Sequence, residues 1–197
     1  MADDTFYMKQ ALMEAQKAFA SGEVPVGAVV VCRDRIIGRG HNLTEMLNDV
    51  TAHAEMQAIT AAANNLGGKY LNECTLYVTV EPCVMCAGAI AWAQTGKLVF
   101  GAADDKRGYQ KYAPDALHPK TVVIKGVLAD ECAQLMKDFF KKRTMITGDR
   151  RRVIVPQINI FSFVITEYLL FDCLLTCDVC LKLSRFQHSC HWHLAVC

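Results

Sequence analysis

A chain of 197 residues, 52% hydrophobic and 21% charged, is long enough to bury a sizeable core and too apolar to be disordered over most of its length. Its formal net charge of +1 provides no global field for nucleic acid, so any such binding must rest on a local patch. Ten cysteines raise a secreted disulfide scaffold, but MADDTFYMKQALMEA puts acidic residues where an export signal has a basic region; the expectation is a cytoplasmic protein with reduced thiols.

Phe6, Leu12, Ala15 and Phe19 recur at helical intervals and predict a helix over 5–20, stopped by Gly22. VPVGAVVVC (24–32) and RIIGRGHN (35–42) are two β-branched runs around Arg33-Asp34 and predict an antiparallel hairpin. Thr51 is the expected N-cap of an alanine-rich helix over 52–64, closed by Gly67-Gly68. TLYVTV (75–80) reads as a buried strand, and Pro82 suits the start of the next helix, CVMCAGAIAWAQ. KLVFGA and TVVIKG are further strands, and 128–142 is a last amphipathic helix. Helices alternating with strands, after an initial hairpin, predict a three-layer α/β/α sandwich around a five-stranded mixed sheet.

Cys83 and Cys86 form a C-x-x-C, which by itself fits a redox pair, half of a structural zinc site or a catalytic metal site. With His53, before Arg152, they make three candidate ligands and no fourth, the number that leaves a zinc ion open to water. At the start of a helix the two cysteines share a face, and the positive end of the helix dipole favours thiolates. His53 and Glu55 are two apart, roughly 200° around a helix, and so do not share a face. Their pairing makes sense if His53 reaches the metal from one side and Glu55 its bound water from another. Such an ion lowers its water's pKa toward ~7, and a neighbouring carboxylate can then carry protons to a leaving group. His53-Ala54-Glu55 with Pro82-Cys83-Val84-Met85-Cys86 fits H-x-E…P-C-x-x-C, the signature of zinc nucleobase deaminases.

Across about residues 5–145, VPVGAVVV, GRGHN, TAHAEM, TLYVTVEPCVMCAGA, VFGA, KGVLADEC and DFFKKR resemble the bacterial tRNA-specific adenosine deaminases, zinc enzymes of the cytidine deaminase-like fold. The resemblance implies conversion of adenosine to inosine at the wobble base of a tRNA anticodon loop, by a homodimer holding one Zn2+ per subunit. His53, Cys83 and Cys86 would bind the zinc and Glu55 would shuttle protons. Asn42 would hydrogen-bond the flipped base, the backbone around Ala54 would read its edge, and Val26 would wall the pocket. Phe140 would pack near the anticodon, with Lys141, Lys142 and Arg143 as phosphate partners. Plainer roles stand beside these: Asn42 as a strand-end cap, Phe139 or Phe140 as helix core, and the basic run 141–152 as solvated surface.

In one place the chain departs from the family. Where the relatives carry a loop of small residues, it has DDKRGYQKYAPDALHPK, in which Lys106, Arg107 and Lys111 with Tyr109 and Tyr112 offer charge and stacking to single-stranded nucleic acid. The same loop would equally reshape the pocket for a free base, which keeps a guanine deaminase-like enzyme as an alternative. A non-catalytic zinc or redox protein is a second alternative, but it has no use for Glu55.

Composition changes near Arg152, dividing a deaminase domain at 1–152 from an apolar, Cys- and His-rich extension at 153–197. Pro156, Gln157, Asn159 and Glu167 interrupt its apolar run, so no membrane span is expected. Cys173, Cys177, Cys180 and Cys190 with His188, His191 and His193 fit no strong zinc template. The extension is assigned no function.

Overall fold

The computed structural model describes residues 3–148. The extension, the boundary at 152 and the candidate second zinc site lie outside the described residues.

Helix α1 (Asp4–Ala20) begins where the Asp3 carboxylate accepts from the Phe6 amide at 2.8 Å, satisfying one of the amides a helix start leaves open. It ends at Ser21, before Gly22 at φ 82°. Strands β1 (Gly27–Cys32) and β2 (Arg35–His41) pair antiparallel. Arg33 and Asp34 between them both take positive φ, the conformation of a tight hairpin turn matched to strand twist. Strand β1 starts at Gly27 and not at Val24, because the Val26 amide turns back to the Val24 carbonyl at 2.8 Å.

Helix α2 (Ala54–Leu66) lies on the hairpin. A Cβ at Gly38 would strike Ala58, and one at Gly40 would strike Ala54 and Ala58. The Gly-x-Gly of β2 and the alanines of α2 are therefore one feature: both surfaces are small so that helix and strand backbones can approach closely.

Strand β3 (Cys74–Val80), helix α3 (Val84–Trp92) and strand β4 (Lys97–Ala102) follow. A four-residue helix α4 (Tyr109–Tyr112), strand β5 (Val122–Lys125) and helix α5 (Ala129–Gly148) complete the described chain. The sheet order is β2-β1-β3-β4-β5, antiparallel through β3 and parallel from β3 onward. This is the five-stranded mixed sheet that the sequence predicts.

Alternate strand residues face opposite layers. Ala28, Val30, Leu76, Val78, Leu98 and Phe100 pack with Ala58, Ala62, Ala87 and Ile90 of α2 and α3. Val29, Val31, Tyr77 and Val99 pack with Tyr7, Met8 and Ala11 of α1 and Cys132 of α5. The parallel strands end side by side at Val80 and Ala102, which are paired. In open α/β sheets, the crevice beyond such carboxyl ends is where ligands bind.

Candidate functional site

Residues just beyond β3 and just before α2 meet in that crevice. His53 is the N-cap of α2 and has extended backbone; Thr51, the expected cap, is diverted. Both its amide (2.8 Å) and its hydroxyl (2.7 Å) donate to the Asp49 carboxylate, and such short local bonds compete with capping. Because His53 lies outside the helix, the 200° separation from Glu55 does not apply. Both side chains line one cavity of about 710 Å³.

Helix α3 begins one residue later than expected, at Val84, so that Cys83 is its N-cap and Cys86 stands three residues on in its first turn. His53 Nδ1 lies 3.7 Å from Cys83 Sγ and 3.5 Å from Cys86 Sγ. The three ligand atoms fall within 4.8 Å of one another and form a cradle for a metal ion. A hydrogen bond from Cys86, followed by one from His53, pulls the Cys83 thiol down to about 4 against its burial. The same Cys83 contact and burial push Cys86 up. A hydrogen bond with Cys83 raises the His53 imidazole against the opposing effect of burial. Two sulfurs and one imidazole at paired helix N-termini form a site suited to a cation that draws off protons from its ligands.

Glu55 is 3% exposed. Burial pushes its carboxyl above the ordinary range, only partly offset by hydrogen bonding to its own amide and by the nearby His53. A carboxyl raised in this way keeps a proton more readily than an ordinary one, which suits general acid–base work.

The cavity also brings together Val26, Asn42, Lys106, Arg107 and Phe140 from the sequence reading. Ala54 is fully buried at the start of α2. Phe139 and Phe140 divide the two roles left open for them: Phe139 is buried against Phe19, and half-exposed Phe140 lines the cavity. Lys141, Lys142 and Arg143 are exposed but do not line it. Lys142 and Arg143 lie over the rings of Phe19 and Phe139. Lys111 is exposed and donates to the Asp105 carbonyl.

Tyr109 requires a correction. Its ring is 3% exposed and joins the core beneath α2 and α3, so it is not available to stack on a base. The cause is Glu81, which no motif in the sequence marks out. Its carboxylate accepts from the amides of Asp104 (3.2 Å) and Gln110 (3.1 Å), while the Tyr109 amide donates to the Pro82 carbonyl at 2.9 Å. Gly108 pairs with Cys83 in a single bridge. The divergent loop is thus tied to the turn that carries the cysteines, with Tyr109 turned inward and Tyr112 outward. Thr44, Asp104, Met136 and Lys137 also line the cavity and were not singled out in the sequence.

Comparison with known proteins agrees with this arrangement. A MafB19-like deaminase family profile matches residues 2–144. A Bacillus subtilis (strain 168) protein named tRNA-specific adenosine deaminase is 44% identical over 147 residues, 72% of this chain and 91% of that protein. A solved structure from work on A-to-I editing by tRNA:A34 deaminases at the wobble position superposes with a TM-score of 0.63 at 42% identity, covering 66% of this chain and 99% of that one. The guanine deaminase of Nitrosomonas europaea superposes with a TM-score of 0.61 at 26% identity, covering 71% of this chain and 85% of that one. With the H-x-E and P-C-x-x-C residues converging in one crevice, the family profile matching residues 2–144 and a relative at 44% identity covering 72% of this chain, the chain belongs to the MafB19-like deaminases and, among them, to the tRNA-specific adenosine deaminase family.

Proposed function

We propose that the protein deaminates adenosine to inosine at the wobble position of tRNA, using a zinc ion held by His53, Cys83 and Cys86. The observation that carries this reading is the ligand cradle opening, together with buried Glu55, into a cavity that Lys106, Arg107, Lys137 and Phe140 also line. Two thiolates and an imidazole suit zinc, and three protein ligands leave a position for water. When bound, the ion supplies the Lewis acidity that makes water a nucleophile at neutral pH.

The chain's own residues supply the rest. The net reaction replaces the 6-amino group with oxygen from water and releases ammonia, so a proton must reach the departing nitrogen. Two buried carboxyls line the cavity, and Glu81 is engaged by the amides of Asp104 and Gln110, so Glu55 is the one placed to take a proton from water and return it there. Asn42 and the backbone at Ala54 hold the extruded base, and Val26 walls its pocket. Phe140 packs against the anticodon loop. Lys106 and Arg107 at the cavity, with Lys111, Lys141, Lys142 and Arg143 beyond it, meet phosphates.

The working unit in this reading is a cytoplasmic homodimer with one zinc ion per subunit. Its support is the outer face of α3, where Val84, Met85 and Trp92 are exposed, Trp92 at 85%. No helix among the described residues is long and apolar enough to cross a membrane. Lys106, Arg107 and Lys137, which line the cavity beside Glu55, Glu81 and Asp104, favour an RNA substrate over the free-base alternative, and buried Glu55 favours an enzyme over the zinc-binding or redox alternative.

The test is to incubate metal-loaded protein with an unmodified tRNA bearing adenosine at the wobble position and, separately, with adenine, guanine and cytidine, following inosine and ammonia. Inosine in the tRNA alone is the expected result. Ammonia from a free base alone would overturn the tRNA reading, and no product from any of them would overturn the enzyme reading.

A further inference from the structure

Glu23 lies just past α1, is 1% exposed, and does not line the cavity. Burying a carboxylate is costly unless donors replace its water, and four do so here. Oε2 accepts from Asn42 Nδ2 (3.0 Å) and Thr44 Oγ1 (3.3 Å). Oε1 accepts from the amides of Glu45 (3.0 Å) and Met46 (2.8 Å). Burial pushes this carboxyl up, but the amides of Met46 and Glu45, then Thr44 and Asn42, together hold it below its ordinary value.

The consequence falls on Asn42. An ionised carboxylate only accepts, so the Asn42 amide must turn its NH₂ end toward Glu23. The same nitrogen donates to Thr44 Oγ1 at 2.9 Å. An amide nitrogen has two hydrogens, and both are now engaged. Asn42 Oδ1 is left, on a residue that lines the cavity, with no hydrogen-bond partner among the described residues.

We propose that Glu23 is a positioning residue that locks the Asn42 side chain with both N–H groups turned inward, so that the site offers its substrate an acceptor at Asn42 and no donor. The pocket accordingly selects a nucleoside that presents an N–H or O–H at that point and discriminates against one that presents a bare ring nitrogen or carbonyl there. A site built for one hydrogen-bond polarity leaves a buried group unpaired with the wrong partner. Glutamate is required because an amide in its place could donate to Asn42 Oδ1, allowing Asn42 to turn over and show the substrate a donor. The inference rests on the proposed role of Asn42 in holding the base.

Three metal-loaded variants test it on the tRNA substrate. Glu23→Gln is expected to raise KM about tenfold and leave kcat within about twofold, since an interaction with bound substrate is lost while the proton carrier is untouched. Asn42→Asp places two carboxylates together and is expected to lose about a hundredfold or more in kcat/KM. The paired variant E23Q/N42D lets the new NH₂ at position 23 donate to one oxygen at position 42 and frees the other as an acceptor. It should recover to within about tenfold of the parent. A paired variant no better than N42D, at equal metal content and thermal stability, would overturn the proposal. A readout independent of turnover is the exchange of the Asn42 side-chain amide protons by NMR. Both are expected to be protected in the parent and at least one exposed in E23Q; unprotected protons in the parent would overturn the lock. Failure of the parent on tRNA, with the protons protected, would remove the tRNA reading and leave the lock in place.

Discussion

His53 and Cys83 hold the same place in their helices: each is the N-cap residue, each has extended backbone, and neither side chain caps its helix. Side chains at this position normally satisfy a free amide. Here they turn to each other across 3.7 Å, and the amide ends of α2 and α3 face the same crevice.

That geometry makes Cys83→Ser informative. Serine is among the preferred N-caps, so α3 should form as well as before, while a metal ligand is lost. The expected outcome is unchanged helical content by circular dichroism with bound metal reduced to a small fraction by elemental analysis. A serine variant that retains stoichiometric metal would remove Cys83 from the ligand set.

Glu55→Gln changes one atom in a buried place and should preserve fold and metal. Turnover should fall by about a thousandfold, in the range that positioned acid–base groups contribute. Single-turnover kinetics on the tRNA would reveal this, and a loss below about tenfold would move the proton-carrying role elsewhere.

Lys106 and Arg107 at the cavity predict a salt signature. Lys106→Ala and Arg107→Ala should each weaken tRNA binding and flatten the log–log dependence of affinity on salt by about 0.7 for a contact to single-stranded backbone. Binding titrations at several salt concentrations would measure the slope. An unchanged slope would mean these side chains meet solvent and not phosphate.

For the outer face of α3, Trp92→Glu should shift the molecule from dimer to monomer in analytical ultracentrifugation, because a charge would be buried without a partner at an apolar contact. If the sedimentation coefficient does not change, α3 is not the dimer face.

Acid stability should depend on Asp4. Burial raises its carboxyl, but the Tyr77 hydroxyl at 2.7 Å and Lys97 Nζ at 2.9 Å outweigh this and hold it below 3.8. A carboxyl depressed in the folded state contributes its full stability above the unfolded value. That contribution is lost as pH falls below about 3.8 toward the folded value. Asp4→Asn is expected to cost about 1 kcal/mol at neutral pH, the group being partly exposed, and to reduce the acid-induced loss. Urea melts at pH 7 and pH 3 would show the difference narrowing as the medium becomes acidic.

The metal cradle and Glu55 were legible because their spacing, two residues and three residues, is itself the chemistry. The five strands were legible because a buried sheet demands apolar runs. Most of what the sequence does not show depends on partners distant in sequence. Glu23 is an ordinary helix-end glutamate until residues 42–46 fold over it. Tyr109 sits among charges and reads as exposed until Glu81, 28 residues earlier, gathers the loop amides and turns its ring inward. Thr51 had the right chemistry for a cap and lost it to Asp49, a competition between two local bonds that composition does not rank.

The attachment made by Glu81 bears on how such a pocket can change. The divergent loop is fastened chiefly through main-chain groups: the amides of Asp104, Tyr109 and Gln110, and the bridge at Gly108. Main-chain fastenings do not depend on which side chains project from the loop. The outward residues Lys106 and Arg107 can therefore be exchanged almost as a detachable face while the cysteine turn behind them stays in register, whereas Lys111 and Tyr112 brace the loop through the Asp105 and Lys106 carbonyls. A lineage could retune what docks at the cavity without disturbing the catalytic floor.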